Sequence, residues 1–139
     1  MDARLIFWPA VAMVVLTIIV TFRMFFERSR QIRAEGVRWR EVSTSSKMNV
    51  RLADTRSADN YRNLFETPTL FYAALIVAFL TAQVNVLTLS LAWIFVASRY
   101  LHSAIHTTGN RIRYRLPVFF FSCLMLWVFW GVLALGLLR

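Results

Sequence analysis

The chain has 139 residues, of which 58% are hydrophobic and 15% aromatic, with 4 Gly and 3 Pro. A soluble domain of this length has no interior large enough to hide that much apolar surface, so composition points to a single membrane domain. The net charge of +9 comes from 16 Lys+Arg against 7 Asp+Glu, and Lys47 is the lone lysine. Long apolar runs separate the Arg clusters, so the charge reads as membrane orientation, not nucleic-acid binding.

In chain order, Leu5–Phe22 is free of charge, and after Arg23 the apolar residues Met24–Phe26 extend it. A helix over about residues 5–26 spans ~30 Å of hydrocarbon at 1.5 Å per residue. Pro9 falls near its start, where the missing N–H costs little. Residues 27–58 form a long basic loop, with Ser43-Thr44-Ser45-Ser46 its most loop-like stretch. Ser57–Asn60 reads as an N-cap region for the second helix. Thr67–Ser98 is uncharged but far too long for one crossing, and Thr81, Gln83 and Asn85 interrupt it. The expectation is a hairpin turning near Gln83–Asn85, with spans of about 59–82 and 86–108. A short basic loop, 109–116, carries Arg111, Arg113 and Arg115, and Pro117 opens a fourth span of about 117–138. The fold class is therefore an all-α membrane protein, a four-transmembrane-helix bundle in one domain over residues 1–139. Positive-inside bias puts both basic loops in the cytoplasm and both termini opposite.

Ionisable residues within spans are costly and raise a functional question. Glu66, Arg99, His102 and His106 are the ones out of place. A hairpin turning near residues 84–85 puts Glu66 level with about Ser103, beside the two histidines, and Arg99 one turn deeper. Arg99, His102 and His106 recur at three and four, forming one stripe of the third helix. Structurally, Glu66 could pair with Arg99 or Arg62 and lock the hairpin. Functionally, the same residues could form an anion-binding pocket at the cytoplasmic rim, with Glu66 and Asn63 receiving an ammonium or amide. A metal site is not expected, because the only two histidines sit among arginines that repel a cation. Haem between two helices needs a ligand on each, and both histidines lie on one. Cys123 reads as a small buried hydrophobe.

The stretch Arg62-Asn63-Leu-Phe-Glu66-Thr67, with Pro68 behind it, resembles the Arg-Asn-x-x-Glu signature of the MAPEG family, the membrane-associated proteins in eicosanoid and glutathione metabolism. Arg99-x-x-His102-x-x-x-His106, followed by Arg111 and Arg115, is similar to the spacing in the prostaglandin-synthesising members. The resemblance implies a homotrimer of four-helix subunits with glutathione as co-substrate, bound between neighbours, and a lipophilic substrate arriving from the bilayer. It assigns glutathione contacts to Asn63 and Glu66, a carboxylate contact to Arg23, and a lining role to Arg62, Arg99, His102 and His106. Arg115, with Arg111 as alternative, matches the arginine that stabilises the thiolate. Three positions depart from the pattern. His106 stands where the eicosanoid enzymes have Tyr, Asp59 where several members have Arg, and Leu116 where the prostaglandin branch has Ser.

A thiol is mostly protonated at neutral pH, and a neighbouring Arg lowers its pKa. The sequence therefore reads first as a glutathione-dependent transferase or peroxidase acting on lipophilic electrophiles. Its implied partners are glutathione, a lipophilic small molecule, membrane lipid and further copies of itself. The alternatives are a non-catalytic member that binds glutathione or lipid, and a small proton-coupled transporter using Glu66.

Overall fold

The computed structural model describes residues 2–138, and the side chains of all of these except residues 39, 45 and 49. Among them every regular element is helical. A 3₁₀ turn, Ala3–Phe7, leads into α1, Trp8–Ala34. The Asp2 carboxylate caps the turn by accepting from the Arg4 N–H at 2.9 Å. Pro9, Met13, Leu16 and Val20 make the buried stripe of α1, and Val14, Val15, Ile18, Ile19 and Phe22 face outward. Thr17 and Thr21 fold their hydroxyls back onto helix carbonyls one turn earlier, which hides their polarity.

Helix α1 does not stop near Phe26. It runs two turns further, because residues 27–34 hold no breaker and the Arg23–Glu27 ion pair bridges the polar boundary. Gly36, at φ +62°, ends it in the left-handed conformation that suits glycine. The basic loop folds rather than trailing. It contains a 3₁₀ turn, Trp39–Val42, and the short helix α2, Ser45–Arg51. Thr44 caps α2 through its hydroxyl, so half of the Ser/Thr run is helical. A small second core of Ile32, Val42 and Leu52, with Val37 and Met48 against it, ties this segment to the end of α1.

The second span is two helices, α3, Arg56–Asn63, and α4, Thr67–Leu80. The break falls at Leu64–Glu66 because Pro68 has no N–H to offer and its ring clashes with the carbonyl four residues back. Glu66, at φ −88° and ψ −90°, is not helical. The turn from α4 into α5, Val86–Thr107, passes through Ala82 at φ 55°. The Gln83 N–H donates to the Ala78 carbonyl, and Asn85 and Thr88 form a reciprocal capping box.

The fourth long helix, α6, Ile112–Leu137, starts five residues before Pro117, so the expected loop shrinks to residues 108–111. Pro117 lies inside the helix, exposed. Helix α5 packs most extensively against α6, α3 against α1 and α5, and α4 against α6. Phe71 of α4 stacks on Phe95 of α5, 4.4 Å between centroids, at the centre of the apolar core. Three stretches among the described residues are long and apolar enough to cross a membrane: Ala3–Ala34, Arg56–Leu80 and Ile112–Leu137. Helix α5, at 22 residues, is shorter and carries Arg99, His102 and His106 on its buried face.

Candidate functional site

The last turns of α5 bury Arg99, His102, Ser103, His106 and Thr107 in a row. Arg99 is fully buried. Its Nη2 donates to the Asn63 side-chain oxygen at 2.5 Å and to the Asn63 carbonyl at 3.2 Å. Its guanidinium lies 5.6 Å from the centre of the Phe119 ring, a cation–π distance. One turn on, Ser103 donates to Asn60 at 3.2 Å. These two contacts fix the register of α3 against α5.

That register corrects the depth expected from the hairpin. Asn63 pairs with Arg99 and Asn60 with Ser103, so Glu66 is level with about Val96 or Ala97 rather than Ser103. A straight second helix would have been needed for the expected depth, and the break before Pro68 removes it. Glu66 is exposed. Its carboxylate takes a 3.5 Å bond from Asn63 Nδ2, and no Glu66–Arg99 ion pair stands among the described residues.

The histidines are close together, their rings 5.5 Å apart and nearly perpendicular. His102 Nδ1 lies 3.3 Å from the Arg115 carbonyl. A carbonyl only accepts, so this contact selects the tautomer protonated on Nδ1. His102 Nε2, His106 Nδ1, and Nε and Nη1 of Arg99 are buried and have no hydrogen-bond partner within the chain. Beside them is a cavity of about 200 Å³, lined by Asn63, His102, His106, Arg115, Leu116 and Phe119. Arg115 Nη1 donates to the Asn110 side chain at 2.5 Å, and Asn110 holds a left-handed turn at φ 45° between α5 and α6. Four of the expected site residues thus converge on one concavity, with Arg99 behind it.

Glu66, exposed and outside the lining, does not, and neither do three others. Arg23 donates to Glu27 and, at 2.5 Å, to the Thr107 carbonyl at the end of α5. Arg62 is exposed, 3.8 Å from Asp59. Arg111 is exposed at the start of α6 and outside the cavity lining. Beside Arg23 lies a clasp that the sequence did not announce. Gln31 bonds both backbone groups of Asp54 at 3.0 Å. Arg56 pairs with Asp54 and donates to the Thr108 carbonyl, and Ser57 donates to Glu27. The Arg56 guanidinium pulls the Asp54 carboxyl down to about 2. Arg23 and Arg56 together satisfy the last carbonyls of α5, where a cation is favoured by the helix dipole.

Asn60 and Phe119 also escaped the sequence reading, although each had a signal. Asn60 lies three residues before Asn63 and Phe119 four after Arg115, the spacings that share a helix face.

The profile of the MAPEG family matches residues 6–135, from the 3₁₀ turn before α1 nearly to the end of α6. The chain belongs to the MAPEG family. No curated protein and no solved structure matches it. Membership makes it a membrane protein of glutathione or eicosanoid metabolism in general terms. Of its departures from the MAPEG pattern, His106 and Leu116 both line the cavity. Asp59 instead accepts from the Thr55 hydroxyl and pairs with Arg62.

Proposed function

We propose that this MAPEG protein is a membrane-bound glutathione-dependent transferase or peroxidase that acts on lipophilic electrophiles. The observation that carries this reading is the cavity in which Asn63, His102, His106 and Arg115 meet. It offers cationic and neutral donors to an anionic ligand, and Arg115 is the cation on its wall. There Arg115 lowers the pKa of a bound thiol and holds the thiolate for attack. Arg111, exposed and off the cavity, ranks second for that role. Asn63 and Glu66 orient the tripeptide, while Arg99 sets the potential from behind Asn63 and Phe119.

The same reading has the chain crossing the bilayer four times, α5 with its polar stripe turned inward, and both basic loops in the cytoplasm. Three copies assemble, with glutathione between neighbours. In that arrangement Arg23 and Arg62, outside the cavity of their own chain, are placed to serve a neighbouring one. The non-catalytic alternative is favoured by one observation, the apolar Leu116 beside Arg115 on the cavity wall. The transporter alternative loses support because Glu66 is on the outer surface of the chain, not among its helices.

Reconstituted protein is expected to turn over an aryl halide or a lipid hydroperoxide only with glutathione. Arg115→Ala should lower kcat/KM at least tenfold, and Arg111→Ala by much less. Full activity in Arg115→Ala sinks the role given to Arg115. Glutathione binding by calorimetry with no turnover of either substrate would establish the non-catalytic reading instead.

A further inference from the structure

The basic segment after α1 has its own small core, and that core sets where its charges stand. Ile32 is the α1 residue in it. Ile32 is six positions after Phe26, the last exposed large apolar residue of α1, about 9 Å of rise. Polar headgroups occupy roughly 5–8 Å beyond each face of the hydrocarbon. The core therefore ties the Trp39–Val42 turn and α2 to the outer edge of the headgroup layer, beside the span.

That unit carries a crevice of about 490 Å³ lined by Arg40, Glu41, Ser46, Lys47, Val50 and Arg51. It brings three cations and a hydroxyl together. Arg51 is 3.4 Å from Glu41, and no ion pair to Arg40 or Lys47 stands among the described residues. Val50, 84% exposed, projects an apolar side chain from the same wall. Exposed cations held beside a lipid surface meet its phosphates.

We propose that this crevice binds the headgroup of an anionic phospholipid, with Arg40, Lys47 and Arg51 on the phosphate and Ser46 as a hydroxyl donor. The site shares no residue with the histidine cavity. It does not depend on which reaction, if any, that cavity performs.

The test uses full-length protein in nanodiscs of phosphatidylcholine alone or mixed with phosphatidylglycerol. Lipids retained by the protein are read by native mass spectrometry, and unfolding temperature is read in parallel. Phosphatidylglycerol should be retained preferentially and should raise the unfolding temperature. The triple variant Arg40→Gln/Lys47→Gln/Arg51→Gln should unfold like wild type in phosphatidylcholine and retain phosphatidylglycerol at least about tenfold less, since each cation near an anionic surface is worth about fivefold. Undiminished retention by the triple variant would overturn the proposal and move the attraction to the other exposed cations of the segment. An equal rise in unfolding temperature from inorganic phosphate in phosphatidylcholine discs would also overturn it, making the crevice a site for free anions. A triple variant that fails to fold in phosphatidylcholine is replaced by Lys47→Gln, whose side chain is exposed and outside the described ion pairs; unchanged retention by it counts against the proposal.

Discussion

Arg99 is a full charge taken out of water and bonded to a neutral partner. Its Nη2 reaches both oxygens of Asn63, while Nε and Nη1 are unpartnered within the chain. Losing an acceptor from a buried cation costs more than losing cation and acceptor together, because the orphaned charge keeps its desolvation penalty. Asn63→Leu is therefore expected to destabilise the protein by about 1.5–3 kcal/mol, the range for a hydrogen bond to a charged group. Adding Arg99→Met should restore part of that loss. Denaturant titration in detergent checks the order. A double variant less stable than Asn63→Leu alone would show that Arg99 does not depend on Asn63. This residue pair was only half legible in sequence. The stripe Arg99, His102, His106 follows from helical spacing, but its partner does not. Glu66 is the charged choice on paper, and Asn63 is the actual one because the register of α3 against α5 was set by a break that periodicity does not show.

At the scale of elements, the clasp around Asp54 joins the loop after α1 to the far end of α5. Arg56 holds the Asp54 carboxyl at about 2, below the ordinary carboxyl value. A carboxyl depressed in the folded state contributes stability only where the unfolded chain has lost its proton. That contribution is therefore full above pH about 4 and disappears as pH falls through about 2. Wild type should melt above Asp54→Asn at pH 6, by a small margin since both partners of the pair are partly solvated. The two melting temperatures should converge as the buffer approaches pH 2. A gap that stays constant over that range would show that the charge of Asp54 is not its source, since the Gln31 bonds to the Asp54 backbone are common to both proteins. The helices themselves were largely readable, since long apolar runs and the capping residues Asn85 and Thr88 act locally. Their ends were less so. The continuation of α1 to Ala34 depends on the second core, and the early start of α6 on contacts of α5 with α6, both of which join residues distant in sequence.

At the scale of the whole molecule, Glu66 is a charge without a satisfactory environment. Glu66 is on the outer surface, flanked by Phe65 and Leu70, both more than half exposed. Its level, about that of Val96 or Ala97, is roughly 15 Å inside the end of α5. A lone chain in a bilayer would present this carboxylate to hydrocarbon, where an ionised group is costly. Cover by another copy removes the difficulty, because a neighbouring chain supplies donors that lipid cannot. The expectation is a three-chain species by native mass spectrometry in mild detergent. The sign of one substitution then separates interface from lipid. If Glu66 faces lipid, Glu66→Leu deletes a costly charge and the protein becomes more stable. If Glu66 faces a neighbour's polar groups, the same change orphans them, and the trimer should dissociate at lower detergent concentration than wild type. A monomer in every detergent, or a Glu66→Leu variant that resists dissociation better than wild type, would exclude a trimer built on this face. The reason is physical: the apolar girdle of a membrane helix does not distinguish lipid from another helix, but a carboxylate set in that girdle does.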